Sequence, residues 1–247
     1  ASIDEVYLDL SFIENFQKAR NICEKIKSEI KEQEQLTCSI GIGPNKLIAK
    51  IAADFKKPDS LIIIEEKDTE KFLEPLAIRK IPGIGPKTEE IFKKLGVKCV
   101  KDLKDFSQEE FKKIMGKWGA ELYAKIRGID SSPITEEYEV KSIGEQETFS
   151  KDTKDLNFLS ERLNKLSQNI FTRFKSSNFK GYKSVVLTVR FHDFEPKSRS
   201  HTLNEPARDL KTLQFEALRL LLPFLDKRDN PNQKLIRLLG IRIEKLL

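Results

Sequence analysis

Apolar residues recur along this chain with two periods, and the changes of period mark its elements. Residues 3–10 carry a short apolar stretch, including Val6 and Leu8, that predicts a strand. Phe12, Phe16, Ala19, Cys23, Ile26 and Ile30 follow at helical spacing and predict a long amphipathic helix. Residues 36–42 alternate, as a half-buried strand does. Pro44 and Asn45 open a helix through Phe55, with Leu47, Ile48, Ile51, Ala52 and Phe55 on its buried face. Residues 61–64 make a short apolar strand. Strands alternating with helices in this way predict an α/β unit with one sheet.

From about residue 65 to 131 the pattern is all helical. Residues 81–88 form a tight glycine turn between two helices, with Pro86 suited to a first helical position and Gly96 ending the helix after Leu95. Ser107 and Glu110 form a capping box ahead of Phe111, Ile114 and Met115. Another helix runs through Leu122, Tyr123 and Ile126 to Gly128. Residues 132–141 are polar and without period, as a linker is. Beyond them come a strand near 142–149, a helix from Leu156 to Phe174 and strands near 184–192 and 197–203. A helix carrying Leu210, Leu213, Ala217, Leu220 and Leu221 follows, then a last strand near 235–246. That is β-α-β-β-α-β, a ferredoxin-like succession. The expected fold class is α+β in several domains, divided at 1–64, 65–131 and 142–247.

Composition narrows the classes. The apolar runs of this 247-residue chain are too short to span a bilayer. Cys23, Cys38 and Cys99 form no CxxC pair, which argues against structural zinc and for reduced thiols in a cytoplasmic setting. With His192 and His201 the only histidines, a Ser-His-Asp triad has little material. Residues 1–141 hold 25 basic and 26 acidic side chains, whereas residues 142–247 hold 20 and 13. The positive excess therefore sits in the last region, as in a polyanion-binding module or a solubilising surface.

Four groups of residues carry candidate chemistry. Asp4 and Glu5 are adjacent carboxylates, and two-metal phosphoryl transfer needs carboxylates that hold hard cations near a triphosphate. On a regular strand they would point apart, so both reach one metal only where the backbone bends. Gly83 and Gly85 expose backbone N–H groups before a helix N-terminus, with Lys87 and Thr88 alongside. Such a turn reads as a helix-hairpin-helix that grips DNA backbone, or as a structural turn with packing glycines. Lys46, Lys50 and Lys57 share a helix face and its end: either a triphosphate cradle or a solvated row paired through Asp54.

In the last region, Val185, Leu187, Val189 and Phe191 face one way, and Val186, Thr188, Arg190 and His192 the other. Lys197, Arg199 and His201 alternate on the next strand; Arg237 and Arg242 fall on opposite faces of the last. The expectation is one apolar face against helices and one open basic face suited to a duplex backbone, or merely solvated. Trp118 and Tyr123 are either core or platforms for base stacking.

Residues 2–9 (SIDEVYLD), 41–54 (GIGPNKLIAKIAAD), Lys57-Pro58, 81–85 (IPGIG) and 141–144 (KSIG) occur in an order that resembles a Y-family translesion DNA polymerase of the DinB, or DNA polymerase IV, branch. The resemblance covers essentially the whole chain. It implies a partial palm at 1–64, a helix-hairpin-helix thumb at 65–131 and a little finger at 142–247. It implies that Asp4 ligates two Mg2+ ions, that Glu5 helps hold the catalytic one, and that Lys57 contacts the incoming nucleotide. Gly83 and Gly85 would meet the primer backbone, and Arg199 and Arg242 the template; Leu238 stands where the family often has a second arginine. The implied partners are primer–template DNA, deoxynucleoside triphosphates and a sliding clamp. The family's first palm strand, with a further metal-binding aspartate, and its fingers have no counterpart here. The expectation is a polymerase portion whose site is completed by such a segment; the alternative is a non-catalytic DNA-binding module or one half of a split polymerase.

Overall fold

The computed structural model describes residues 4–13, 15–136 and 139–247. It divides into two compact units, Ala1–Glu136 and Glu137–Leu247.

The described part of the first unit begins without a strand. Asp4 lies in a turn, and residues 5–10 join no ladder. Ile3, the start of the expected strand, lies outside the described residues. Apolar alternation makes a strand only where a neighbouring edge takes up its N–H and C=O groups. Val6 and Leu8 accordingly stand 78% and 54% exposed. Helix α1 (Phe16–Glu34) starts after Asn15, whose side chain accepts the Lys18 N–H. The extended backbone of that cap stops the helix from reaching back to Phe12, which is exposed.

Strand β1 (Ile40–Ile42) pairs in parallel with β2 (Leu61–Ile63), with Ile40 opposite Leu61. The expected 36–42 strand is thus cut to the three residues for which β2 offers partners. Helix α2 (Lys46–Phe55) lies directly on β1. A Cβ at Gly41 would come within 2.1 Å of the Ala49 carbonyl oxygen, so this glycine serves close packing. The Asn45 side chain caps α2 by accepting the Ile48 N–H at 3.0 Å, and its amide donates to the Gly128 carbonyl at 2.8 Å. Replacing Asn45 with alanine removes both bonds. We expect a loss of about 1–2 kcal/mol, read from urea unfolding.

The helical segment contains α3 (Thr69–Leu73), α4 (Pro86–Lys94), α5 (Gln108–Met115) and α6 (Lys117–Lys125); short 3₁₀ turns separate the first three, and Gly116 alone separates α5 from α6. The Ser107–Glu110 capping box forms as expected. The glycine turn is entered from a 3₁₀ turn, Ile78–Lys80, where a helix was anticipated. Ile81 precedes Pro82, which drives it to extended backbone and ends the turn there. Leu47, Ile48 and Ile51 of α2 share one core with Phe92, Phe111 and Leu122 of this segment, with Trp118 and Tyr123 packed against it. The change of pattern near residue 65 is therefore not a break between cores. Phe55, expected in the core, is 46% exposed and meets Phe72 edge-on at 5.2 Å.

The second unit follows the anticipated succession: β3 (Ser142–Thr153), α7 (Leu156–Lys175), β4 (Tyr182–Phe191), β5 (Pro196–Ala207), α8 (Leu210–Leu225) and β6 (Ile236–Leu246). Its sheet is antiparallel throughout, in the order β3-β6-β4-β5, so the second and fourth strands are central. Leucines of α7 and α8 bury Val185, Leu187, Val189 and Phe191 on one face.

Register corrects the expected basic face. Directly opposed residues share a face, and Val185, Leu187 and Val189 stand opposite His201, Arg199 and Lys197. These three side chains therefore lie on the helix side of an edge strand, away from the open face. The open face instead carries Thr188 and Arg190 of β4, Ser198 and Ser200 of β5, and Gly240 and Arg242 of β6. Alternation along β6 also breaks. Arg190 pairs with Leu238 but Phe191 with Ile236, leaving Arg237 as the extra residue of a bulge. His192 lies beyond the end of β4 and is exposed.

Candidate active site

Helix α2 presents Lys50 and Asp54 one turn apart, and both face the segment that holds Glu5. The Lys50 ammonium donates to the Glu5 carboxylate. It also pairs with Asp54 Oδ2 at 3.1 Å, and Asp54 Oδ1 takes Lys57 at 2.6 Å. The result is a chain of alternating charge, Glu5–Lys50–Asp54–Lys57. Burial opposes the charge on Asp54, but hydrogen bonds from Lys57 and Lys50 outweigh it and hold the carboxyl below its usual range. Burial likewise works against the Lys50 ammonium, and bonds to Glu5 and Asp54 outweigh it and raise its pKa. Lys46 lies over the Tyr7 ring at 5.3 Å and donates to the Pro133 carbonyl at 3.0 Å. Burial pushes the Tyr7 hydroxyl pKa up.

Of the two readings of the lysine row, local pairing through Asp54 holds for Lys50 and Lys57. Sequence reasoning missed the bond from Lys50 to Glu5, 45 residues away. The four-residue spacing of Lys50 and Asp54 signals only their own pairing. Beside Asp54 opens a cleft of about 310 Å³, lined by Ile51, Asp54, Phe55, Leu76, Arg79 and Lys80.

Asp4 is exposed in its turn, so the side-chain alternation of a strand does not hold at the carboxylate pair. Among the described residues no group of three His, Cys, Asp or Glu side chains gathers as a metal site. Two neighbouring carboxylates still suit Mg2+, which binds through one or two carboxylates and completes its shell with water and phosphate oxygen. Asp4 and Glu5 supply carboxylates of that type, with Glu5 held by Lys50.

At the glycine turn the two glycines differ. Gly83 has φ +98°, and a Cβ there would sit 2.8 Å from the Trp118 ring. Gly85 has ordinary extended backbone, and a Cβ there would meet nothing within 4 Å. Gly85 caps α4 without any side-chain hydrogen bond, so first-turn N–H groups remain open to an anion. Lys87 is exposed beside them. Gly83 is thus exposed but has no room for a side chain against Trp118, whereas a side chain at half-buried Gly85 would enter open space.

In the second unit Arg242 lies on the open face, paired with Glu244 at 2.7 Å. Arg199, on the helix side, is ion-paired with Asp229. Lys197 donates to the Asp229 carbonyl at 2.9 Å, and His201 Nδ1 lies 3.0 Å from Glu216.

Residues 1–54 match the impB/mucB/samB family, and residues 140–247 match the C-terminal domain of the same family. Residues 79–130 match the thumb domain of DNA polymerase iota. DNA polymerase IV of Leptospira interrogans serogroup Icterohaemorrhagiae serovar Lai is 34% identical over 245 residues, covering 98% of this chain and 67% of that protein. The chain belongs to the Y-family of DNA polymerases, in its DNA polymerase IV (DinB) branch. DNA polymerase IV 2 of Methanosarcina mazei is 37% identical over 246 residues, which cover 99% of this chain and 65% of that protein. The chain thus spans about two thirds of the length of the curated relatives it matches. A Y-family DNA polymerase chimera of Dbh and Dpo4 aligns with all of this chain and 70% of its own, at 28% identity and TM-score 0.85. The Y-family assignment makes residues 79–130 a thumb and accounts for the glycine turn within it. Among the described residues no helix is long and apolar enough to cross a membrane.

Proposed function

We propose that this chain takes part in template-directed DNA synthesis of the lesion-bypass type, with its palm residues at 1–64, thumb at 65–131 and little finger at 142–247. One observation carries the reading. Glu5, next to Asp4, is joined through Lys50 and Asp54 to Lys57, so the carboxylates and the triphosphate lysine form one cluster. In this reading Asp4 and Glu5 hold Mg2+, Lys57 binds the triphosphate, and Gly85 with Lys87 receives the primer backbone. A bound divalent cation supplies charge neutralisation at the α-phosphate and a more acidic primer hydroxyl. The chain's own part is to hold and orient; Lys57 offsets negative charge on the triphosphate, so no histidine base is needed.

Arg242 is the template contact on the open sheet face. Arg199 would reach a template only by leaving Asp229. Charge reversal, Arg242→Glu, should reduce the slope of log affinity against log salt by about 1. Arg199→Glu should change that slope less. Equal slopes for Arg242→Glu and the unaltered chain would move the contact elsewhere.

A primed template with Mg2+ and four nucleotides tests the whole reading. Extension supports a catalytically sufficient chain. Salt-sensitive duplex binding without extension supports the alternative, a DNA-holding portion whose site another segment completes.

A further inference from the structure

Lys50 sits between the two ends of the candidate site, and each neighbour it holds has a competing use. Glu5 is needed for a cation, yet its carboxylate carries the Lys50 ammonium. Lys57 is needed for an anion, yet its ammonium sits on Asp54. Asp54 is divided, one oxygen to each lysine. A cation arriving at Glu5 therefore leaves Lys50 with half of its partners.

The two lysines differ in what else can receive them. The Lys50 side chain is 26% exposed and Lys57 53%. Lys57 can turn to water at little cost; Lys50, deeper in the cluster and less screened, keeps to Asp54. The neighbouring cations are otherwise engaged. Lys46 is directed to Tyr7 and Pro133, and Arg79, across the cleft, is paired with Glu89 at 3.2 Å.

We propose that Lys50 and Asp54 form a charge relay in which cation binding at Glu5 draws Asp54 onto Lys50 and releases Lys57 for the triphosphate. Lys50 is then a positioning residue, acting through Glu5 and Asp54. The inference rests on the polymerase reading of Glu5 and Lys57. Linkage makes the effect reciprocal: an anion on Lys57 frees Asp54 for Lys50 and loosens the hold of Lys50 on Glu5. The metal and nucleotide sites would thus favour each other beyond the direct attraction of their ligands.

Because Mg2+ also binds triphosphates, the test leaves nucleotide out. NMR signals of the Glu5 carboxylate carbon and the Lys57 Cε–Hε group are followed in the full chain as MgCl2 is added. Both signals should shift with one midpoint in the unaltered chain. In Lys50→Met the Glu5 signal should still shift while the Lys57 response is lost, and Lys50→Arg should restore it. A Glu5 response with a silent Lys57 in the unaltered chain overturns the relay and leaves the polymerase reading standing. A Lys57 response that survives Lys50→Met also overturns it. A silent Glu5 removes the metal reading itself, and the relay with it.

Discussion

Where the primed template is extended, by this chain alone or with the segment that completes its site, Asp4→Ala should abolish that extension while leaving affinity for the primed duplex within about twofold. Asp4 is exposed in a turn and outside the core clusters, so its removal should not disturb the fold. The oxygen donors it offers lie beside Glu5, and the pair is the cation site of the proposed reaction. Losing one of two carboxylates removes several kcal/mol of charge stabilisation in the transition state. That corresponds to a rate loss on the order of 10³-fold or more. Extension assays with and without the substitution, beside fluorescence anisotropy on the same duplex, separate the outcomes. Extension that survives Asp4→Ala would remove Asp4 from the metal site.

A contrast between the two thumb glycines should give the second large effect. Gly83→Val should destabilise the first unit by about 2–5 kcal/mol. Left-handed backbone strains a β-branched residue, and overpacking against a neighbouring ring adds to it. Both causes are on hand: φ is +98°, and the Trp118 ring lies 2.8 Å from the new Cβ. A Cβ at Gly85 meets nothing within 4 Å, so Gly85→Val should cost no more than about 1 kcal/mol, from the poorer helix N-cap. Its side chain nevertheless stands at the open helix N-terminus, and duplex affinity should fall about tenfold as phosphate approach is blocked. Urea unfolding and anisotropy read the two properties independently. Weak binding by Gly83→Val alone would reflect a damaged fold. Unchanged binding by Gly85→Val would take the phosphate contact away from this turn.

Much of the architecture was legible in local pattern. Asn45 capping α2, the Ser107–Glu110 box and the β-α-β-β-α-β succession all depend on neighbours within a few residues. Such features follow from side-chain type and spacing alone. The helical period failed at Phe12 because Asn15 caps α1 first. The strand at 3–10 failed because a ladder needs a partner edge, which alternation does not encode.

The candidate site divides in the same way. The carboxylate pair, the lysine row and the glycine turn were visible as motifs. Their connections were not. Glu5 meets Lys50 across 45 residues, and Gly83 meets Trp118, which makes one glycine a packing requirement and leaves open space beside the other. Arg199 and Arg242 looked equivalent as strand cations, yet pairing of Leu187 with Arg199 and Val186 with Arg242 sets them on opposite faces.

The sequence by itself determined most of the element types, their caps and turns, the candidate chemistry and the polymerase family. Tertiary structure decided strand order, strand register, the sharing of one core by α2 and the thumb helices, and the chain of charge from Glu5 to Lys57. The physical reason is range. Backbone propensity and capping act within one or two turns of chain. A one-residue change of pairing moves a side chain to the other face, and a salt bridge forms wherever packing brings its partners together.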